Sequence, residues 1–193
     1  MSKIILASSS PRRKALLSKY DLDIDVIPSH IDEKVFQGET SEQVAMSLAF
    51  EKALSVVAKL SDNEIVIGSD TIVYMGRTVL GKPKDEKEAI SMLKMLSGRE
   101  HLVVTGIAVL KANTNIKIID FEKTIVKFRD LTEEKIMKYI KTGEYKDKAG
   151  AYAIQGYGEV FVEKIYGCYS NVVGLPVAKL DELLEKNFNI SLL

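Results

Sequence analysis

Ile65-Val66-Ile67-Gly68-Ser69-Asp70-Thr71-Ile72-Val73-Tyr74 is the stretch whose reading sets the fold class. Ile65 to Gly68 has the form of a compact buried strand, Ser69 and Asp70 interrupt it, and Ile72 to Tyr74 continue it. Met75 and Gly76 then turn the chain toward Val79 and Leu80, and Lys82 with Pro83 ends the segment. Helical patterns flank this β region on both sides. Upstream, Thr40 with Gln43 has the capping-box form and opens a helix whose Val44, Leu48, Ala49, Ala53, Val56, Val57 and Leu60 lie on one broad apolar face. Downstream, Asp85 with Glu88 makes a second capping box, and its helix carries Ala89, Ile90, Leu93 and Leu96 before stopping at Ser97 and Gly98.

The same alternation extends to both termini. Ile4 to Leu6 reads as a strand that breaks into Ser8, Ser9, Ser10 and Pro11, with a helix resuming at Ala15, Leu16 and Leu17. Ser10 suits the N-cap and Pro11 the first helical position, where a missing N–H costs nothing. Ile24 to Ile27 is a strand ending at Pro28. Leu102 to Leu110 and Ile116 to Phe128 are β-rich segments joined by Asn113, Thr114 and Asn115 as a hairpin. Thr132 caps a helix ending near Gly143, Val160 to Ile165 reads as a strand, and Leu175 to Leu184 as a final helix entered at Pro176. Strands and helices with both hairpins and crossovers predict a mixed α/β fold. No repeat or linker divides the chain, so residues 1–193 are expected to form a single domain.

Bulk properties exclude several function classes. Lys plus Arg equals Asp plus Glu at 27 each, which gives no overall pull toward a nucleic-acid backbone or an anionic membrane. Cys168 is the only cysteine, so no internal disulfide or cysteine-based zinc site can form, and a reducing, cytoplasmic location is expected. No apolar stretch reaches the roughly 18 residues of a membrane span, and the N-terminal apolar run is too short for a signal-peptide core.

Four features could carry chemistry. Ser8-Ser9-Ser10-Pro11-Arg12-Arg13 gathers hydroxyls, helix N-terminal N–H groups and two guanidinium groups, which makes an anion site or an ordinary capped helix with a basic first turn. Asp70, read as lying just past a buried strand, could hold a divalent cation or accept a proton from water, or simply cap a turn. Glu33, in His30-Ile31-Asp32-Glu33, is a second acid on a loop. Gly76-Arg77-Thr78-Val79-Leu80-Gly81-Lys82 approaches a P-loop, but Pro83 occupies the place of the metal-binding Ser or Thr, so a Walker motif is rejected while Lys82 can still meet a phosphate as a point charge. Lys52 shares its helix with Glu51 and Lys59, charges that usually form a solvated face. His30 and His101 are far apart and lie in no metal-ligand or triad spacing, and His101 reads as structural.

Taken in order, these pieces resemble Maf proteins, known as septum-formation or nucleotide pyrophosphatase proteins, along nearly the whole chain. The resemblance rests on Leu6-Ala7-Ser8-Ser9-Ser10-Pro11-Arg12-Arg13, Gly68-Ser69-Asp70-Thr71-Ile72-Val73, Gly81-Lys82-Pro83, Leu96-Ser97-Gly98, and Asp147-Lys148-Ala149-Gly150-Ala151-Tyr152 with Ile154-Gln155-Gly156. Ser170-Asn171-Val172-Val173-Gly174-Leu175-Pro176 also fits. It implies an elongated α/β fold with a mixed sheet, related to inosine triphosphate pyrophosphatases, with two lobes around a nucleotide cleft, and suggests a homodimer. It also implies a reaction in which Mg²⁺ or Mn²⁺ neutralises a triphosphate, a carboxylate activates water, and attack at the α-phosphorus expels pyrophosphate. Under the resemblance Asp70 becomes general base and metal ligand, Glu33 its partner at the metal, and Ser8, Arg13, Lys52 and Lys82 the groups that hold phosphates.

Arg12, Thr71 and Gln155 resemble the branch that hydrolyses dTTP and UTP; the branch preferring 7-methyl-GTP carries an aromatic residue, Gln and Glu at those places. The amide of Gln155 both donates and accepts, which suits the O4 and N3–H edge of uracil or thymine, whereas Glu would suit the donors of guanine. Two other readings compete with the enzyme. One is a nucleotide-binding regulator of cell division acting through a partner; the other, prompted by Arg12, Arg13 and Lys14, is nucleic-acid binding, which neutral net charge and the lack of an aromatic-basic stripe disfavour.

Overall fold

The computed structural model describes residues 3–34, 36, 38–76 and 78–193. Arg77, in the stretch compared with a P-loop, lies outside them. The strands are β1 (Ile4–Leu6), β2 (Ile24–Val26), β3 (Ile65–Met75), β4 (Thr78–Leu80), β5 (Glu100–Lys111), β6 (Lys117–Phe128) and β7 (Val162–Tyr166). The helices are α1 (Pro11–Leu17), α2 (Ser41–Val57), α3 (Glu86–Leu96), α4 (Glu133–Lys141), α5 (Tyr169–Val173) and α6 (Val177–Phe188). Strand order is β2-β1-β3-β5-β6-β7, with β4 on β3. β2, β1 and β3 run parallel, while β3–β4 and β6–β7 are antiparallel, so the expected mixed α/β class is the class found.

The chain divides into two compact units, one of Met1–Asp70, Thr105–Glu122 and Gly174–Leu193, the other of Thr71–Val104 and Lys123–Val173. In the first, α2 packs on strands through small residues. A Cβ on Gly68 of β3 would run into the Ala49 carbonyl and lie 2.8 Å from Ala53 Cβ, and one on Gly106 of β5 would run into the Ala45 carbonyl. Ile5, Ala7, Ala49, Ala53, Val56, Val66, Ala108 and Leu110 form the buried cluster that this close approach creates. The Thr40–Gln43 capping box is complete: Gln43 N–H donates to Thr40 Oγ1 at 3.3 Å and Thr40 N–H to Gln43 Oε1 at 2.9 Å. α2 stops at Val57, and Leu60 covers the same cluster from the turn beyond it.

Several boundaries differ from the sequence expectation. β3 runs unbroken through Ser69 and Asp70, because their polar groups find partners off the strand instead of forming a turn. The second capping box is half formed: Asp85 accepts from Glu88 N–H, but the Glu88 carboxylate reaches back to Lys84 N–H at 2.6 Å. Val160 belongs to a 3₁₀ turn, Tyr157–Phe161, and the strand starts at Val162. The last helix starts at Val177 and continues to Phe188, and α5 ahead of it had no sequence signal strong enough to mark five residues.

The second unit centres on aromatic rings. His101 on β5 meets Phe128 and Tyr152 edge-on, with ring centroids 4.9 and 5.4 Å away, and Tyr139 packs the same way on Phe161 at 4.8 Å. His101 Nε2 lies 2.8 Å from Tyr152 Oη. Burial lowers the imidazole pKa to about 4 and raises that of the Tyr152 phenol. His101 is therefore a neutral core residue, as its sequence context implied. An imidazole that titrates near 6.5 when unfolded and about 4 when folded leaves stability intact above pH 6.5 and removes it as the pH falls toward 4. Urea titrations at pH 6.5, 5 and 4 are expected to show a loss of up to roughly 3 kcal/mol that His101→Phe abolishes; an unchanged slope in that variant would assign the acid sensitivity elsewhere.

Candidate active site

Asp70 does not lie past the end of a strand. It is inside β3, 9% exposed, and its carboxylate needs a cation to be stable there. Lys52 supplies it. Side chains alternate along a strand, so Gly68 and Asp70 share the face turned to α2. Lys52, one residue before Ala53, reaches across that contact to ion-pair with Asp70 Oδ1, and its ammonium also lies 2.8 Å from Glu33 Oε1. Lys52 is itself 9% exposed, so the expectation of a solvated helix face is corrected for it, while Glu51 is half-buried and Lys59, beyond the end of α2, is exposed. One ammonium thus gathers two carboxylates from separate parts of the chain.

Ser8 and Arg13 form the second half of the site. Arg13 Nη1 donates to Ser8 Oγ at 3.1 Å, and Nε donates to the Gly174 carbonyl at 2.6 Å. Ser8 Oγ also accepts from Ser10 N–H at 3.2 Å, so the loop folds onto its own hydroxyl. Ser10 occupies the N-cap position of α1 with Pro11 at N1, as expected, but its side chain makes no capping bond. Burial pushes the Arg13 guanidinium pKa down, as does neighbouring Arg12, while the nearby Asp70 and Glu33 carboxylates favour its charged form. Arg12 is half-buried beside it.

Ser69 and Gly174 were not singled out by sequence. Ser69 faces away from α2 and its hydroxyl donates to the Gly174 carbonyl at 3.0 Å, the same oxygen that Arg13 uses. Gly174 has φ 126°, a left-handed backbone that favours glycine, and the Gly174-Leu175-Pro176 run was the available sign of it. Ser8, Arg12, Arg13, Glu33, Lys52 and Asp70 therefore all belong to the first unit.

Thr71, Lys82 and Gln155 belong to the second. Thr71 is half-buried on β3. Lys82 is exposed just after β4, where Gly81 accepts from Gly150 N–H at 3.1 Å and so ties that loop to the Ala149–Ala151 turn. Gln155 is exposed and, with Tyr139, Glu144, Tyr157 and Phe161, contributes to the wall of a cavity of about 530 Å³. Among the described residues no three or more His, Cys, Asp or Glu side chains cluster for a metal, and no helix is long and apolar enough to cross a membrane.

A family model described as Maf-like protein matches residues 3–187. The dTTP/UTP pyrophosphatase of Clostridioides difficile (strain 630) is 50% identical over 189 residues, covering 98% of this chain and 97% of that protein. The dTTP/UTP pyrophosphatase of Thermoanaerobacter sp. (strain X514) is 52% identical over 191 residues, 99% and 100% of the two chains. That of Alkaliphilus oremlandii (strain OhILAs) is 50% identical over 193 residues and the full length of both. Among solved structures the Staphylococcus aureus Ham1 protein matches 67% of this chain and 73% of its own at 16% identity and a TM-score of 0.47, too distant a likeness to bear on fold or activity.

The buried pair makes its own prediction. Removing one partner of a buried ion pair typically costs about 3–5 kcal/mol, because the other charge is left uncompensated. Lys52→Met should lose stability on that scale in urea unfolding, and adding Asp70→Asn should return a good part of it, a coupling of about 0.5–3 kcal/mol. Strictly additive costs would mean that the two groups do not depend on each other.

Proposed function

The chain belongs to the Maf family, and from that premise we propose that it hydrolyses dTTP, UTP and related or modified pyrimidine nucleotides to the monophosphate and pyrophosphate. Identity of about 50% along the whole chain to enzymes named dTTP/UTP pyrophosphatase supports the reaction. The observation that carries the chemistry is the convergence of Asp70 and Glu33 on one cationic centre beside Arg13 and Ser8.

That donor set fits a hard divalent ion. Two carboxylates already share one cation, and Mg²⁺ or Mn²⁺ is commonly held by one or two carboxylates together with waters and substrate phosphates. Asp70 and Glu33 are assigned to hold it. When bound, the ion would neutralise triphosphate oxygens and polarise the phosphoryl group under attack. Charge counting supports the need for it: Lys52 and Arg13 are matched by Asp70 and Glu33, so a triphosphate meets little unspent positive charge on these four residues.

Asp70 is assigned as general base. Its carboxylate takes a proton from water, the water oxygen bonds to the α-phosphorus, and the α–β phosphoanhydride bond breaks with its electron pair leaving on pyrophosphate. Ser8, Arg13, Lys52 and Lys82 are assigned to phosphate oxygens, Arg13 with its guanidinium already fixed at two points by Ser8 and Gly174. Arg12, Thr71 and Gln155 are assigned to base selection, with the Gln155 amide pairing with the O4 and N3–H edge. A substrate of this kind and a single unpaired thiol, Cys168, favour a cytoplasmic setting.

In assays with Mg²⁺ or Mn²⁺, pyrophosphate is the expected product, and Asp70→Asn is expected to lower kcat by about 10²–10⁴-fold while remaining folded. Orthophosphate as sole product would overturn the assignment. Across a panel of nucleoside triphosphates dTTP and UTP should lead, and a ranking headed by 7-methyl-GTP would overturn the roles given to Arg12, Thr71 and Gln155.

A further inference from the structure

Glu144 takes no part in the chemistry above, yet its carboxylate is committed to the loop that carries Gln155. Oε1 accepts from Tyr157 N–H at 3.0 Å and Oε2 from Gly158 N–H at 3.0 Å. Gly156 lies so close that a Cβ there would collide with Glu144 Oε1 and sit 2.6 Å from its Cδ. The glycine next to Gln155 is therefore part of the same arrangement: only a bare backbone lets the carboxylate reach both amides.

The other side of Gln155 is anchored to the same helix end. Ala153 N–H donates to Tyr139 Oη at 3.2 Å, and Tyr139 belongs to α4. Thr142, the C-cap of α4, donates its hydroxyl to the Tyr139 carbonyl at 2.6 Å and accepts Glu144 N–H at 3.2 Å. The loop is thus tied before Gln155 by a phenol and after it by a carboxylate. Gln155 itself is exposed. An exposed amide on an untethered loop would sample many positions, whereas hydrogen-bond selection between base edges requires the donor and acceptor held to within about 0.5 Å. Bonds from backbone N–H groups to a charged acceptor are about twice as strong as neutral ones, so a carboxylate suits the task.

We propose that Glu144 is a positioning residue for base selection, clamping residues 156–158 so that the Gln155 amide is presented in one orientation. The proposal rests on the assignment of Gln155 to base selection. Glu144→Gln retains one acceptor oxygen, while Glu144→Ala retains none.

The test compares kcat/KM for dTTP and for 7-methyl-GTP in wild type, Glu144→Gln, Glu144→Ala, Gln155→Ala and the Glu144→Ala/Gln155→Ala double variant. Expected is a fall in the dTTP preference of about tenfold in Glu144→Ala, seen mainly in the KM for dTTP, with a smaller fall in Glu144→Gln. Gln155→Ala should produce the same loss, and the double variant no more than either. If Gln155→Ala changes the ratio and neither Glu144 variant does, the positioning role is overturned. Equal losses on both nucleotides would also overturn it, by showing a general structural role. An unchanged ratio in Gln155→Ala would instead overturn the base-selecting assignment beneath it. Should Glu144→Ala fail to fold, Glu144→Gln carries the comparison, with faster hydrogen exchange at the Tyr157 and Gly158 amides expected and unchanged exchange counting against the clamp.

Discussion

A carboxylate in the middle of a strand is the constraint around which the first unit is arranged. Asp70 on β3 would be strongly destabilising if buried alone, and the Lys52 ammonium on α2 compensates it. That pairing sets demands on the packing two residues earlier. Gly68 faces α2 as Asp70 does, and with Ala49 and Ala53 opposite it brings helix and strand close enough for Lys52 to bridge them. A larger residue at position 68 would push α2 outward and with it the ammonium that pairs with Asp70. The core glycine and the site lysine therefore belong to one device.

The opposite face of β3 carries a matching constraint. Ser69, turned the other way, shares the Gly174 carbonyl with Arg13, so one oxygen fixes both a guanidinium and a strand hydroxyl. Arg13 in turn holds Ser8. Consecutive residues 69 and 70 thus organise two sets of partners because of the period of two in a strand, and the polar interruption in an otherwise apolar run supplies both. The carboxylates of Asp70 and Glu33 are thus set against the cationic groups of Lys52 and Arg13.

What was legible in the sequence was local. The capping box at Thr40 and Gln43, the N-terminal Pro11, the hairpin at Asn113 and the cap at Thr132 need only neighbours within three or four residues, and each is found. What was not legible depended on distant partners. Ser69 and Asp70 looked like a strand break because nothing nearby could satisfy them; their partners are 105 and 18 residues away. Lys52 looked like a surface charge for the same reason. The half-formed box at Asp85 shows the limit of a local pattern, since Glu88 found Lys84 N–H as good an acceptor's target as the one the pattern names. The sequence offered Lys52, Asp70 and Glu33 as separate candidates, and their grouping around one ammonium could be known only from the fold.

Two buried or tethered carboxylates show how partner type separates chemistry from scaffolding. Asp70 is paired with an ammonium on a four-carbon stem, a partner that belongs to a side chain and not to the backbone. Glu144 is paired with backbone N–H groups of Tyr157 and Gly158, which can leave only if the loop itself moves. The Asp70 contact therefore joins two side chains, and the Glu144 contacts hold the course of a loop. The role proposed for Asp70 calls for a carboxylate whose partner is a side chain, since hydrolysis there must leave the backbone in place. The role proposed for the Gln155 loop calls for a fixed backbone, because an amide discriminates donors from acceptors only while its own direction is fixed.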